Sequence, residues 1–167
     1  LNGNCLYYKK VGYNFLSVSN IIPCSFDSNG NQIEQTELGY IKLQKEYSKF
    51  VQLLSCGKLF LSKWLTYGDD FHLTVKDITS FSFPFDEISV TDKDTLDSLY
   101  EEFCRKLPST IQYKLNAGIK VGTFNTSTLW DITDKSDMIF LSYLTDNPLL
   151  VHEVIEDHLA KCIISDK

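Results

Sequence analysis

The stretch K-E-Y-S-K-F-V-Q-L-L-S-C-G-K-L-F-L-S-K-W-L-T-Y, from Lys45 to Tyr67, carries the strongest helical signal in the chain. Tyr47, Phe50, Val51, Leu54, Leu61, Trp64 and Leu65 recur at threes and fours, which places them on one stripe of a 3.6-residue helix. Gly57 interrupts the run and is expected to break or kink it. Lys45, Lys49, Lys58 and Lys63 fall on the polar side, where a solvated face is expected and a phosphate-facing row is the alternative.

Upstream of this helix the pattern changes period. From Cys5 to Phe26, Tyr8, Val11, Tyr13, Phe15 and Val18 fall between polar residues, the signature of two or three short strands. D-S-N-G-N (Asp27 to Asn31) reads as a turn in which Gly30 supplies a positive φ, and a further extended segment is expected near Tyr40 to Leu43.

Downstream, F-S-F-P-F opens an extended segment from Phe81 to Val90 that Pro84 confines to an edge or a strand start. Thr91 and Asp94 have capping-box form, and Leu96, Leu99, Tyr100, Phe103 and Leu107 then carry an apolar stripe as far as Pro108. Asp92, Asp94 and Asp97 suit the first turns of that helix, where the macrodipole favours acids. A loop with Gly118, Gly122 and N-T-S-T (Asn125 to Thr128) leads to Trp130, followed by two helices, Asp134 to Leu144 and Pro148 to Ile164. Strands first and helices after predict a single α+β domain, with short N-terminal strands in a mixed or antiparallel sheet packed against a long kinked helix and C-terminal helices. Residues 1–85 would hold the strands, the long helix and the polar loops, and residues 86–167 mainly helical support.

A chain of 167 residues, 43% hydrophobic and 13% aromatic, is large enough for one well-buried core. Its five cysteines are odd in number and form no C-x-x-C pair, and no secretory leader is recognisable, so a reducing cytoplasm is the expected setting. No apolar run approaches the roughly 20 residues of a membrane span. The opening on Leu1 suggests a piece of something longer. The net charge of −6 weighs against a free-standing nucleic-acid binder, but it is unevenly spread. Residues 1–80 hold 8 lysines and 7 acids, whereas residues 81–167 hold 8 basic residues and 15 acids, so a polyanion is expected to meet the first half.

Catalytic signatures are missing from the sequence. His72, His152 and His158 are the only histidines, and the last two are six apart on one predicted helix, hence on different faces; no metal site is expected. There is no G-x-S-x-G elbow, no cysteine-enzyme signature and no glycine-rich phosphate loop. No lysine has an acid two residues before it, as a PD-(D/E)-x-K nuclease requires. Asp146-Asn147-Pro148-Leu149 lacks the second proline and the aromatic of the N-P-P-[YF] methyltransferase motif.

One polar stretch remains, G-D-D-F-H-L-T-V-K-D-I-T-S-F from Gly68 to Phe81. Thr74 can cap a short helix from Val75 to about Ser80 with Asp77 as its N3 partner, and Leu73 and Ile78 can form the hydrophobic staple. Gly68 would be the C′ residue of the preceding helix, leaving an exposed tip at Asp69, Asp70 and His72.

The order of these pieces resembles the C-terminal target-recognition region of adenine-specific DNA methyltransferases, particularly the type IIG restriction–modification enzymes and related phage-defence methylases of bacteria. The likeness runs through Y-Y-K-K-V-G-Y-N-F (Tyr7 to Phe15), L-L-S-C-G-K-L-F (Leu53 to Phe60), W-L-T-Y-G-D-D-F-H-L-T-V-K-D-I-T-S-F (Trp64 to Phe81) and V-G-T-F-N-T-S-T-L-W-D-I-T-D-K-S-D (Val121 to Asp137). Ser55-Cys56 and Asp70 depart from the family pattern. The resemblance implies a non-catalytic module that reads double-stranded DNA for a methyltransferase domain, with a nuclease domain as a further candidate, of the same chain or a partner subunit. S-adenosylmethionine, with magnesium as a further candidate, is then expected only in the parent enzyme.

Three polar loops are the candidate DNA contacts. Tyr13 and Asn14, with Lys9 and Lys10 beside them for phosphates, form the first. Asp69, Asp70, His72, Thr74 and Lys76 form the second, with the capped helix offering backbone N–H groups to a phosphate. Lys120, Thr123, Asn125 and Thr126 form the third. Solvated loops and caps are the plainer alternative for each, as is an assembly module that docks the methyltransferase and never touches bases.

Overall fold

The N-terminal alternation resolves into five short strands in a computed structural model that describes residues 5–12, 14–69 and 71–163. They are β1 (Cys5–Lys9), β2 (Val18–Ser19), β3 (Ser25–Phe26), β4 (Gln32–Ile33) and β5 (Leu38–Lys42). β1 is central in an antiparallel sheet of order β2-β1-β5, with Tyr7 opposite both Ser19 and Tyr40. Its alternate residues Leu6 and Tyr8 point into the core, as a half-buried strand requires. Asp27 closes the β3–β4 turn by accepting from the N–H groups of Asn29 and Asn31, and Gly30 takes φ +83°.

The long periodic stretch becomes two helices, α1 (Lys45–Cys56) and α2 (Lys58–Tyr67), divided at Gly57. Gly57 is extended there (φ −84°, ψ 165°), so positive φ does not explain the glycine. Space does: a Cβ on Gly57 would lie 2.4 Å from Asp137 Oδ1. The wholly buried Asp137 carboxylate accepts from the Leu59 N–H at 2.9 Å, so a side chain from another helix caps α2 where Gly57 has none to offer. Phe50, Leu53, Leu54, Phe60, Leu61 and Trp64 form the buried face of the pair.

The solvated lysine row fails at Lys58. This residue is only 9% exposed, and its ammonium donates to Asp134 Oδ2 at 2.9 Å and Glu156 Oε1 at 2.5 Å. Lys49 pairs with Asp97, and Lys63 donates to Ser80 Oγ. Three of the four lysines of the row thus have protein partners, while Lys45 stays exposed.

Three further expectations change. Phe81 to Val90 forms no strand; Phe83 packs edge-on against Phe140 at 5.2 Å and Phe81 lies 5.8 Å from Phe60, with a 3-10 turn at Phe85–Glu87. Alternating aromatics here serve the helical core, and Pro84 removes a ladder donor. Next, α3 (Val75–Thr79) is followed by α4 (Val90–Lys106), which begins one residue before Thr91 because Ser89 is the cap, its Oγ accepting from Asp92 N–H.

Finally, the segment read as a loop is a hairpin, β6 (Ile111–Asn116) and β7 (Ile119–Phe124), paired along its whole length. Ala117 (φ 49°) and Gly118 (φ 84°) make its two-residue turn, the left-handed pair a tight hairpin needs. β7 pairs with β3 to give a second antiparallel sheet of order β4-β3-β7-β6. The C-terminal half therefore adds a hairpin to its helices.

A 3-10 turn at Thr126–Leu129 then feeds α5 (Trp130–Ser142), which starts four residues ahead of the expected Asp134. Asn147 caps α6 (Pro148–Cys162), with Pro148 in its first turn; its expected end at Ile164 lies outside the described residues. The result is an α+β domain in which α1, α2, α4, α5 and α6 pack around Leu96, Phe103, Ile132 and Phe140, with the two small sheets alongside. Among the described residues no helix is long and apolar enough to cross a membrane.

Candidate nucleic-acid interface

The first two candidate loops are laced together by backbone. Gly12 N–H donates to Phe71 O, and Leu73 N–H donates to Lys10 O, both at 2.8 Å, around an antiparallel bridge between Val11 and His72. Trp64 supports this from below: its indole N–H donates to His72 O at 3.2 Å, and its ring lies so close to Gly12 that a Cβ there would come within 2.4 Å. Gly68 is likewise a packing requirement rather than a left-handed cap, since it is extended and a Cβ would meet Trp64 O at 2.6 Å.

The third loop joins the same edge. Lys9 Nζ, at the end of β1, donates to Thr123 Oγ1 on β7 at 3.0 Å, and Thr126 Oγ1 donates to Leu16 O at 2.8 Å. Burial pulls the Lys9 ammonium below its ordinary range, with Lys114 adding to the fall and Glu37 opposing it. Three segments far apart in sequence thus meet at the C-terminal end of β1.

Individual candidates differ in what they offer. Lys10, Lys76, Lys120 and His72 are exposed, whereas Asn14 and Thr123 are half-buried. Tyr13 and Asp70 lie outside the described residues. Thr126 is fully buried and its hydroxyl is committed to Leu16, so it presents nothing to a ligand. Asn125 accepts from Ser127 N–H and caps the 3-10 turn.

Asp69 holds the tip in shape. It accepts from Phe71 and His72 N–H groups and meets His72 Nδ1 at 2.8 Å, and the His72 backbone bond leads the contacts that hold its carboxyl down at about 2. Thr74 and Asp77 form the expected capping box, in which Asp77 N–H is already taken by Thr74 Oγ1 at 3.3 Å. With five residues and one first-turn donor so engaged, α3 is a poor phosphate site, and the expectation that it offers N–H groups is set aside.

Lys120 lies over the Tyr113 ring at 4.6 Å. Gln112, Lys114 and Asn116, exposed on β6, are not among the candidates because the sequence expectation for this segment is a loop. The signal was present in I-Q-Y-K-L-N-A-G-I-K-V-G-T-F, two alternating runs around Ala117-Gly118.

A second polar cluster lies among α2, α5 and α6. Asp134, His152 and Glu156 bring one ligand-type atom each to within 4.8 Å of one another, beside the Lys58 ammonium. Burial alone would lower the Lys58 pKa, but its bonds to Glu156 and Asp134 outweigh that and raise it. A divalent ion would have to displace this ammonium, although His152 Nε2 lies 3.9 Å from both Asp134 Oδ1 and Glu156 Oε1, within the roughly 4.2 Å that two metal bonds span. The set was missed because the histidines were compared with each other, not His152 with Glu156 one turn on. His158 meets Ser62 Oγ at 2.9 Å, on a different face of α6 from the His152 cluster.

Cys56 is fully buried, donates to Val18 O at 3.2 Å and has its thiol pushed up to about 12 by burial, which removes it as a nucleophile. Comparison with protein-family models, curated proteins and solved structures finds no match to this chain.

Proposed function

We propose that this chain is a non-catalytic DNA-reading module, the target-recognition domain of an adenine-specific DNA methyltransferase of restriction–modification type. The observation that carries the reading is the meeting of three polar segments, around Lys9 to Gly12, Phe71 to Leu73 and Thr123 to Thr126, near one end of β1. Lys9 and Lys10 there suit phosphate, and His72 with Asn14 supplies hydrogen-bonding groups of the kind that meet base edges. S-adenosylmethionine, and magnesium if cleavage accompanies modification, belong to attached domains in the cytoplasm. The net charge of −6 fits a tethered reader whose partner provides most of the phosphate affinity.

The test is selection from a pool of random duplexes with this chain. Enrichment of one short sequence, with log K falling against log salt at about 0.9 per phosphate neutralised, is the expected result. An unenriched pool, bound no better than by an unrelated acidic protein, contradicts the reading.

A second reading, an assembly module that docks the methyltransferase, is supported by the surface of α6. Leu149, Leu150 and Val154 stand 61%, 53% and 59% exposed among the exposed acids Asp146, Glu153 and Asp157. Substituting Leu150 and Val154 by aspartate would then abolish association with the catalytic subunit while duplex selection is unchanged. Association that survives both substitutions removes this reading.

A further inference from the structure

The β6–β7 hairpin combines three properties. It is a regular two-stranded ribbon, with Ile111 opposite Phe124 at its base and Asn116 opposite Ile119 at its tip. Its outer part is exposed, including every residue from Gln112 to Lys120. And it is free of acids: residues 107–130 contain no Asp or Glu in a chain that holds 22 of them. Lys114 and Lys120 are the charged residues of that segment, while most acids of the C-terminal half lie on α4, α5 and α6.

Strand alternation sorts its side chains. Gln112, Lys114 and Asn116 share one face of β6 with Thr123, Val121 and Ile119 of β7, and Thr123 binds Lys9, so this face runs on into the edge where the loops meet. Tyr113 and Leu115 share the other face with Lys120, whose ammonium lies over the tyrosine ring. A glutamine and an asparagine on one face are the donor and acceptor types that read adenine edges. Six paired residues extend about 20 Å, and a two-stranded ribbon fits the roughly 12 Å width of the B-DNA major groove.

We propose that the hairpin is the principal reading element and enters the DNA major groove, with Gln112 and Asn116 toward base edges and Lys114 and Lys120 toward phosphates. This rests on the DNA-reading function proposed above and names a site within it that the three loops alone do not include. The loops then hold the base of the ribbon and its flanking phosphates.

Binding of a random-sequence duplex pool by the whole chain, followed by fluorescence anisotropy at low salt, separates the two claims. Lys114→Gln with Lys120→Gln is expected to weaken binding at least tenfold and to reduce the log–log salt slope by about 1.8, two counterions at about 0.9 each. Gln112→Ala with Asn116→Ala is expected to leave the slope unchanged and to change the sequence enriched by selection. These side chains are exposed, and thermal melts within about 2 °C of the parent chain will show that the fold is retained. If the parent chain binds duplex DNA and all four substitutions leave affinity, slope and selected sequence unchanged, the hairpin is overturned and the DNA-reading function stands. If the parent chain binds no duplex, both fall. Equal affinity for an RNA duplex overturns the groove assignment, because the A-form major groove is too narrow for the ribbon. Dimerisation lost in a Leu115→Pro variant, with DNA binding retained, would reassign β6 as a strand-pairing edge and also overturn it.

Discussion

Lys58 on α2 and Lys120 on β7 show how differently two regions of this domain use the same side chain. Lys58 is 9% exposed, held between Asp134 and Glu156 and laid over the Trp130 ring. Lys120 stands on an exposed ribbon above Tyr113, with no acid on its strand or on the facing one. In the helical layer, polar groups tie helices to one another: Asp137 of α5 caps α2, and Asp134 with Glu156 holds Lys58. On the outer part of the hairpin they face outward. The contrast teaches where this fold resists substitution and where it is open to function.

The comparison breaks first in the core. Phe140→Ala, which empties a wholly buried ring site that also supports Phe83, is expected to cost about 3–5 kcal/mol by urea denaturation. A loss below about 1 kcal/mol would mean that the helical layer does not carry the stability. Gly57→Ala comes next, at about 3 kcal/mol, because the new Cβ would drive into the Asp137 carboxylate and displace the cap of α2.

Asp137 also gives the helical layer a pH dependence. Burial raises its carboxyl to about 8, against opposing help from the Leu59 N–H, compared with an ordinary value of 3.8. The folded chain therefore holds a proton there that the unfolded chain releases, so its contribution is complete below about pH 4 and is lost as pH rises toward 8. Urea midpoints should fall across that window in the parent chain, and Asp137→Asn should flatten the fall; parallel curves for the two would show that the carboxylate is ionised throughout.

Much of this layer was legible in the sequence, since the stripe from Tyr47 to Leu65 and the Thr74 capping box depend on local spacing. The role of Gly57 was not, because its reason lies 80 residues away in Asp137. Lys58 looked like any surface lysine for the same reason: its partners come from α5 and α6. The hairpin was missed for an opposite cause. Its signal is local, but Gly118 and Gly122 were read as loop formers, although Gly118 makes the tight turn and Gly122 makes room for Cys24 O, only 2.1 Å from where a Cβ would stand. Of the candidate site, the three loops were named from sequence, whereas their convergence rests on the Val11–His72 bridge and the Lys9–Thr123 bond, which only the folded chain reveals.

Smaller effects sharpen the comparison from the other side. Thr74→Ala should cost about 1 kcal/mol, the usual value of an N-cap, and leave the rest of the domain intact. Gln112→Ala with Asn116→Ala should change stability by less than about 0.5 kcal/mol, since both side chains are exposed. A larger loss would mean that the ribbon's polar face belongs to the scaffold.

The central claim, that DNA is met by the convergent edge and its hairpin, is most directly tested by titrating isotope-labelled chain with duplex DNA and following backbone amide shifts. The account predicts changes concentrated in residues 9–14, 69–76 and 111–124, with α4 to α6 unaffected. Changes confined to the exposed face of α6 around Leu149, Leu150 and Val154, or none at any DNA concentration, would contradict it.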